Sequence, residues 1–167
     1  MAPRGVLVGP PGAGKSAVGR ALATRLDCAF RDTDLDVETR TGTTISDIFV
    51  LEGEQRFREL ERAAVDAALG EHDGVLALGG GAVLDEDVRR ALEGHRVIYL
   101  EVSITAAARR IGFNRDRPLL LGNPRAQWVR LLEARRSLYE EVATVTVDTD
   151  DKDVEAVVDE ILDKVDL

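Results

Sequence analysis

Residues 9–16 read GPPGAGKS and follow a short apolar run at residues 6–8. The segment matches the pattern G-x-x-x-x-G-K-[ST] in the context that this pattern requires, after a strand and before a helix. Its glycines let successive backbone N–H groups turn towards phosphate oxygens, and the N-terminus of the following helix adds partial positive charge. A plain glycine turn is the alternative, but strand, motif and helix together favour a nucleoside triphosphate site in an α/β fold.

The composition limits the class of protein. A chain of 167 residues fits one domain, and 44% hydrophobic with 32% charged residues is typical of a globular protein. The net charge of -9 argues against a nucleic-acid-binding protein, because such proteins need a basic surface to displace counterions. No apolar run is long enough for a signal peptide or a membrane span. We therefore expect a cytoplasmic protein with neither a nucleic-acid nor a membrane partner, and we expect a monomer.

Short apolar runs alternate with helical patterns along the chain. Strands are predicted at residues 6–8, 29–30, 75–78, 97–100 and 145–147. Helices are predicted from Lys15 onward, over 45–69 with a break at Gly53, and over 86–93, 104–111, 125–141 and 153–165. This alternation implies right-handed crossovers and a parallel sheet of five strands that is covered on both faces.

Two carboxylates follow the second predicted strand in the segment RDTD, residues 31–34. Asp32 and Asp34 are two residues apart, so in an extended segment both would point to the same side. At the carboxyl edge of a parallel sheet, one could hold the water shell of Mg²⁺ and the other could accept the proton of an attacking hydroxyl. The alternative is structural, with Asp34 as a helix N-cap. The residues alone leave both interpretations open.

Two further segments contain charged groups or glycines. GEQRFRELE, residues 53–61, places Arg58 and Glu61 three apart on one helix face, and taken alone it indicates a solvated face with ion pairs. LGGGAV, residues 78–83, ends a predicted strand with three glycines. A tight loop needs only one or two, so the triplet indicates close approach of a ligand to exposed amides.

The stretch at residues 112–124, GFNRDRPLLLGNP, is the irregular part of the pattern. A loop of this length inside a compact domain is usually functional or disordered. Arg117 lies in it, and an arginine on a movable lid could reach a transferring phosphoryl group. For that residue alone, a plain surface charge is the simpler interpretation.

Taken together, these segments resemble those of the shikimate kinases in order and spacing. The matching segments are GPPGAGKS at 9–16, DTD at 32–34, GExxFRxxE at 53–61, GGG at 79–81 and RPLL at 117–120. The first is shared with many nucleotide-binding proteins, whereas the combination of the other four is far more specific. The resemblance runs from Val6 to the last helix and so covers essentially the whole chain.

The resemblance implies a fold and an activity. The fold is the three-layer α/β P-loop fold of the nucleoside monophosphate kinases, with a five-stranded parallel sheet in the order 2-3-1-4-5. The activity is transfer of the ATP γ-phosphoryl group to the 3-hydroxyl of shikimate, on the route to chorismate and the aromatic amino acids. The resemblance also implies Mg²⁺ as cofactor, a single domain over 1–167, substrate-binding helices over about 34–61 and a lid over about 112–124.

The roles of individual residues follow from the same resemblance. The catalytic residues would be Lys15, Asp34 and Arg117, with Asp34 as the base. Shikimate would be bound by Asp34, Phe49, Phe57, Arg58, Glu61, Gly79, Gly80, Gly81 and Arg135. ATP would be bound by Gly12, Ala13, Gly14, Lys15, Ser16, Ala17, Arg110, Arg117 and Lys152. Mg²⁺ would be held by Ser16, and by Asp32 through water.

Three departures from the family pattern affect these assignments. Counting back from Tyr139 selects Arg135 as the second carboxylate-binding arginine, whereas a helix shifted by one residue would select Arg136. Ser137 stands where the family usually has proline, so the helix end is less sharply fixed. Lys152 is the nearest match to an arginine of the adenine loop, and lysine supplies charge there but no planar stack.

Two other functions are compatible with a phosphate-binding segment. Another small-metabolite kinase of the same fold, such as a gluconate kinase, would lack the GExxFR helix and the glycine triplet. A nucleotide-gated switch without a small substrate would leave Asp34, Arg58 and Arg135 without a task.

Overall fold

The computed structural model describes residues 2–111 and 124–167, in which five parallel strands form one sheet in the order β2-β3-β1-β4-β5. The strands are β1 (Gly5–Val8), β2 (Phe30–Asp32), β3 (Val75–Ala77), β4 (Val97–Glu101) and β5 (Val145–Asp148). The helices are α1 (Lys15–Arg25), α2 (Thr33–Thr41), α3 (Ile45–Glu52), α4 (Glu54–Glu71), α5 (Glu86–Ala91), α6 (Ile104–Ile111), α7 (Pro124–Val142) and α8 (Val154–Lys164). A short 3₁₀ turn lies at Ala82–Leu84. The predicted fold class and strand order are confirmed.

Helices cover both faces of the sheet, as the alternation in β1 shows. Leu7 is fully buried on one face, among apolar side chains of α1 and α8. Val6 and Val8 are buried on the other face, among side chains of α4 and α5. Strands that are apolar on both faces are typical of parallel sheets between helical layers. A third, smaller cluster joins α2, α3 and α4 around Val37 and Ile48.

A crevice opens at the carboxyl ends of β1 and β3, the two neighbouring strands in the middle of the sheet. After β1 the chain continues into α1 on one face, and after β3 it continues into α5 on the other. Ligands of open α/β sheets bind where neighbouring connections diverge in this way. The GPPGAGKS segment follows β1 and the glycine triplet follows β3, so both border this crevice.

The structure corrects the expectation for Asp32 and Asp34. Helix α2 begins at Thr33, directly after β2, so the extended segment predicted there is wrong. Asp32 is the N-cap, since its Oδ1 accepts the backbone N–H of Asp34 at 2.9 Å. Asp34 therefore lies in the first turn of the helix and is not its cap. The N-terminal amides needed an acceptor, and the earlier aspartate provides it.

The end of the predicted lid also differs. Pro124, expected to close the loop, is the first residue of α7, a position where proline lacks only an N–H that would have had no helical partner. The remainder of the predicted lid, 112–123 with Arg117, lies outside the described residues. Over 2–111 and 124–167, no helix has the length and apolarity that a membrane span requires.

Gly74, which immediately precedes β3, provides a test of the strand packing. A methyl group here would overlap the carbonyl oxygen of Ala29, which accepts the backbone N–H of Val75. We expect Gly74→Ala to lower the free energy of unfolding by about 1–3 kcal/mol, as overpacking does. Thermal melts of the purified variants measure this.

Gly70 provides the matched control. It lies near the end of α4, and a methyl group there would meet no atom of the described residues within 4 Å. Gly70→Ala should therefore leave the melting temperature unchanged or raise it, because alanine favours a helix over glycine by up to about 1 kcal/mol. Equal effects of the two substitutions would contradict the packing described for Gly74.

Candidate active site

The segment after β1 makes a tight turn that requires glycine. Gly9, Gly12 and Gly14 have φ angles of 154°, 85° and 90°, which L side chains rarely adopt. A methyl group on Gly9 would also lie 2.6 Å from the carbonyl oxygen of Leu100. Gly14 is the N-cap of α1, so the N-terminal dipole of this helix points into the crevice. The geometry is that of an anion-binding loop.

Two cations hold the carbonyl side of this loop. Lys15 Nζ donates to the carbonyl oxygen of Gly9 at 2.7 Å. Arg110, from α6, donates through Nη1 to the carbonyl oxygen of Gly12 at 3.0 Å. Arg110 Nη2 also donates to the carbonyl oxygen of Thr149, after β5, at 2.9 Å. Arg110 therefore joins the carbonyl side of the loop to α6 and to the segment after β5.

Ser16 and Asp32 place two oxygen ligands next to each other. Ser16 Oγ donates to Asp32 Oδ2 at 3.2 Å. Hydroxyl and carboxylate oxygens are ligands that Mg²⁺ prefers, usually with several waters and phosphate oxygens completing the octahedron. In the described part of the chain, no group of three or more His, Cys, Asp or Glu residues could hold a metal ion. The donor set thus suits a Mg²⁺ ion that takes most of its ligands from phosphate and water.

Asp34 occupies an unusual electrostatic position. Burial raises the pKa of its carboxyl group to about 7, and the negative charges of Asp32 and Glu61 act in the same direction. The positive charge of Lys15 opposes the shift. A carboxyl group with a pKa near neutrality is suited to accept a proton from a substrate hydroxyl.

The glycine triplet leaves space that side chains from other segments occupy, and a larger residue in the triplet would displace them. A methyl group on Gly79 would lie 2.8 Å from Glu61 Oε2 and closer still to Asp34 Oδ1. A methyl group on Gly81 would overlap the guanidinium group of Arg58. The sequence predicted that the triplet allows close approach of a ligand, and the structure shows that it first allows close approach of the protein's own charged groups.

Arg58 and Glu61 form a buried ion pair, so the solvated helix face expected from the segment alone is wrong. Arg58 Nη1 lies 2.8 Å from Glu61 Oε1, and the two side chains are 15% and 3% exposed. Burial raises the pKa of Glu61, and Arg58 opposes this shift. Arg58 Nε is buried and has no hydrogen-bond partner among the described residues. A buried guanidinium N–H without an acceptor favours an anionic ligand.

The two arginine candidates on α7 lie in different environments. Arg135 is 4% exposed, whereas Arg136 is exposed to solvent. The positive charge of Arg135 acts on both Glu61 and Tyr139 and opposes the rise in their pKa values that burial causes. Tyr139 Oη in turn donates to the carbonyl oxygen of Gly80 at 2.5 Å. The structure therefore brings Arg135, and not Arg136, to the glycine triplet and the Arg58–Glu61 pair.

Several predicted site residues lie at the margin of this arrangement. Phe49 and Phe57 contact each other with ring centroids 5.0 Å apart, in the cluster of α2, α3 and α4, and Arg58 lies over the Phe57 ring at 5.2 Å. Ala17 is exposed in the first turn of α1. Lys152 Nζ forms an ion pair with Glu160 of α8 at 2.9 Å, so its charge is directed towards that helix.

One cleft of about 360 Å³ joins the two sides of the crevice. Its lining includes Lys15, Ser16, Asp32, Asp34, Gly80 and Arg110. Another cavity of about 410 Å³ lies near the amino ends of β4 and β5, among paired charges such as Arg89 and Glu141. The smaller cleft is the candidate active site, because it contains the anion-binding loop and the carboxyl group of raised pKa.

The sequence did not identify three residues that support this cleft. Thr149 holds Arg110, and Pro11 contacts Gly80, whose added methyl group would lie 3.0 Å from Pro11 Cδ. In the sequence, Tyr139 is only the reference position for the second arginine, whereas in the structure it donates to the carbonyl oxygen of Gly80. These contacts join segments 39 to about 70 residues apart, and no local spacing encodes them.

The comparisons with known proteins agree with each other. A family model described as shikimate kinase matches residues 11–166. A shikimate kinase of Streptomyces avermitilis is 58% identical over 165 residues, which are 99% of this chain and 96% of the relative. A solved shikimate kinase from Acinetobacter baumannii in complex with shikimate is 37% identical with a TM-score of 0.91, covering 97% of this chain and 91% of that one. A gluconokinase from Sinorhizobium meliloti has a TM-score of 0.59 at 22% identity, covering 96% and 89%, and shares the fold alone.

The raised pKa of Asp34 predicts a pH-dependent stability. Its pKa is about 7 in the folded protein and 3.8 ordinarily. The contribution of this carboxyl group to the free energy of unfolding is therefore fully present below about pH 4 and is lost as the pH rises through about 7. The shift corresponds to at most about 4 kcal/mol. Asp34→Asn stays neutral, so we expect its melting temperature to exceed that of the unchanged protein by several degrees at pH 8 and by much less at pH 5.

The melts are made without nucleotide, shikimate or divalent cation. Asp163→Asn, at an exposed position of α8, is the control and should show no such growth of the difference with pH. If Asp34→Asn is less stable than the unchanged protein at pH 8, the buried carboxylate is not the unfavourable charge that we describe.

Proposed function

Because this chain belongs to the shikimate kinase family, and so transfers the γ-phosphoryl group of ATP to the 3-hydroxyl of shikimate, we propose that the 360 Å³ cleft performs this transfer. The observation that carries the assignment is that one cleft contains both Lys15, in an anion-binding loop, and Asp34, a carboxyl group with a pKa near 7. The loop would hold the donor and the surroundings of Asp34 would hold the acceptor.

On the donor side, the backbone N–H groups of the loop after β1 would bind the phosphate oxygens of ATP. The carbonyl oxygen of Ala13 accepts a hydrogen bond from Arg110 at 3.3 Å, which supports an orientation of the Gly14 N–H towards the cleft. Lys15 would turn from the Gly9 carbonyl to the β- and γ-phosphates. Arg110, between the loop and Thr149, would lie beside the adenine. The adenine-loop role of Lys152 stays a prediction.

Mg²⁺ is the expected cofactor, and it would be held by Ser16 and, through water, by Asp32. The 3.2 Å contact between Ser16 Oγ and Asp32 Oδ2 supports this assignment, since it brings the two oxygen atoms to one place beside the loop. When bound, Mg²⁺ neutralises charge on the β- and γ-phosphate oxygens. A monomer in the cytoplasm is the expected form of the protein.

On the acceptor side, two buried arginines would bind the carboxylate of shikimate. Arg58 Nε has no hydrogen-bond partner within residues 2–111 and 124–167, which supports this role, and so does the burial of Arg135 near Glu61, the ion-pair partner of Arg58. Glu61 would position Arg58 through their ion pair. Asp34 would accept hydrogen bonds from the ring hydroxyls, and the amides of the glycine triplet would complete the contacts.

The chemistry follows from these positions. Asp34, as a carboxylate, would take the proton of the 3-hydroxyl while this oxygen forms a bond to the γ-phosphorus. The bond between that phosphorus and the bridging oxygen breaks, and ADP leaves with the electron pair. The loose transition state needs alignment and cations more than covalent help. Lys15 would supply positive charge from the loop, and Arg117 would supply it from the lid.

A gluconate kinase and a nucleotide-gated switch explain the site less well. The gluconokinase likeness, at 22% identity, is one of fold, whereas 58% identity to a shikimate kinase extends over 99% of the chain. A switch without an acceptor substrate does not explain Arg58 Nε, which is buried without a hydrogen-bond partner among the described residues. It also does not explain the raised pKa of Asp34 in the cleft.

Asp34→Asn tests the assignment of the base. We expect the unchanged protein to release ADP from Mg-ATP many-fold faster with shikimate than without it. In Asp34→Asn we expect a loss of turnover of about 100-fold or more, the contribution of a general base, with unchanged affinity for ATP. Coupled ADP assays and nucleotide titration calorimetry measure the two quantities. Turnover that survives in Asp34→Asn would remove the proposed base.

Arg135→Ala and Arg136→Ala form a matched pair on one helix. Arg135 is buried beside Glu61 and Tyr139, whereas Arg136 is exposed. We expect Arg135→Ala to raise the shikimate KM by about 100-fold, since truncating a buried charged partner costs a few kcal/mol, and Arg136→Ala to change it less than about 2-fold. Steady-state kinetics at saturating ATP measure both. The reverse order would move the carboxylate contact to Arg136.

A further inference from the structure

Tyr139 is fully buried, and its hydroxyl group contacts the backbone of the glycine triplet. Its Oη donates to the carbonyl oxygen of Gly80 at 2.5 Å. The ring is stacked on that of Tyr99, with centroids 5.1 Å apart. A buried hydroxyl that donates to a carbonyl and whose ring is packed on another is fixed in direction by its surroundings.

The orientation of one peptide group depends on this contact. The C=O of Gly80 and the N–H of Gly81 belong to the same planar trans peptide and point in opposite directions. Because the carbonyl is turned to Tyr139, the Gly81 N–H is turned away from α7. Among the described residues nothing accepts a hydrogen bond from this N–H. Glycine on both sides leaves this peptide with little intrinsic preference, so an outside contact must set its orientation.

We propose that Tyr139 is a positioning residue for shikimate, which acts by holding the peptide between Gly80 and Gly81 so that its N–H is presented to the substrate. This rests on the proposed role of the glycine triplet in shikimate binding. Tyr139 does not itself touch the reacting atoms, because it lies behind the triplet in the apolar cluster of α4, α5 and the sheet. Its hydroxyl acts by aligning the amide.

Tyr99 offers a matched control within the same stack. Its hydroxyl is buried like that of Tyr139, yet it has no hydrogen-bond partner among the described residues. Both substitutions by phenylalanine remove one buried oxygen and keep both rings. They differ in that Tyr139→Phe also releases the Gly80 carbonyl, whereas Tyr99→Phe releases no polar group of the described residues.

Steady-state kinetics of the two variants form the first test. We expect Tyr139→Phe to raise the shikimate KM by roughly 3- to 10-fold, the usual effect of one lost hydrogen bond, with kcat and the ATP KM changed less than about 2-fold. Tyr99→Phe should leave all three unchanged. Equal effects of the two variants on the shikimate KM would overturn the proposal, and so would a Tyr139→Phe protein that fails to fold while Tyr99→Phe folds.

The ¹H–¹⁵N NMR signal of the Gly81 amide, recorded without ligands, forms the second test and does not depend on activity. This signal should shift in Tyr139→Phe, because the carbonyl of the same peptide loses its hydrogen bond, and it should stay in place in Tyr99→Phe. An unchanged Gly81 signal in Tyr139→Phe would overturn the proposed hold on the peptide. A shifted signal with an unchanged shikimate KM would retain that hold and overturn the step to shikimate, together with the binding role proposed for the triplet.

Discussion

Residues 79–81 have no side chains, and four side chains from three other parts of the protein meet at the space that this leaves. Asp34 from α2 and Glu61 from α4 approach Gly79, Pro11 of the loop after β1 approaches Gly80, and the Arg58 guanidinium approaches Gly81. A side chain at any of these positions would displace one of them. The donor and acceptor sides of the cleft can therefore lie this close together only because the segment after β3 has no side chains.

Charge balance is the second constraint on the site. Burial raises the pKa of Asp34, and the carboxyl groups of Asp32 and Glu61 lie close enough to raise it further. Such crowding is tolerated because cations lie among them, with Lys15 opposing the shift of Asp34 and Arg58 paired to Glu61. Breaking a buried pair by removing one partner leaves an uncompensated charge, so these groups depend on each other for stability as well as for binding.

The sequence predicted the strands and most helices, because apolar periodicity reports burial directly, and its resemblance to the shikimate kinases implied the strand order. It was wrong about Asp32 and Asp34, since an N-cap and an extended strand end place carboxylates at the same spacing. It was wrong about the exposure of Arg58, because ion pairs at helical spacing are usually solvated and only the fold shows that this face meets β3. The choice between Arg135 and Arg136 depends on how α7 is rotated about its axis. A count along the sequence that is uncertain by one residue does not determine that rotation. Tyr139 gave no signal, because its partner Gly80 is 59 residues away.

The loop after β1 and the glycine triplet are organised by the same rule. Side-chain donors occupy the carbonyl side of both: Arg110 binds the carbonyl oxygen of Ala13, whose peptide carries the Gly14 N–H, and Tyr139 binds that of Gly80, whose peptide carries the Gly81 N–H. Lys15 binds the Gly9 and Pro10 carbonyls, whose peptides lead into prolines and carry no N–H. Since the N–H of a trans peptide points opposite to its C=O, a donor on one side presents an amide on the other. Phosphates and carboxylates are both acceptors without donors of their own when ionised, so presented amides suit each of them. A kinase that binds two anionic substrates in one cleft can thus orient both by fixing carbonyl groups from behind.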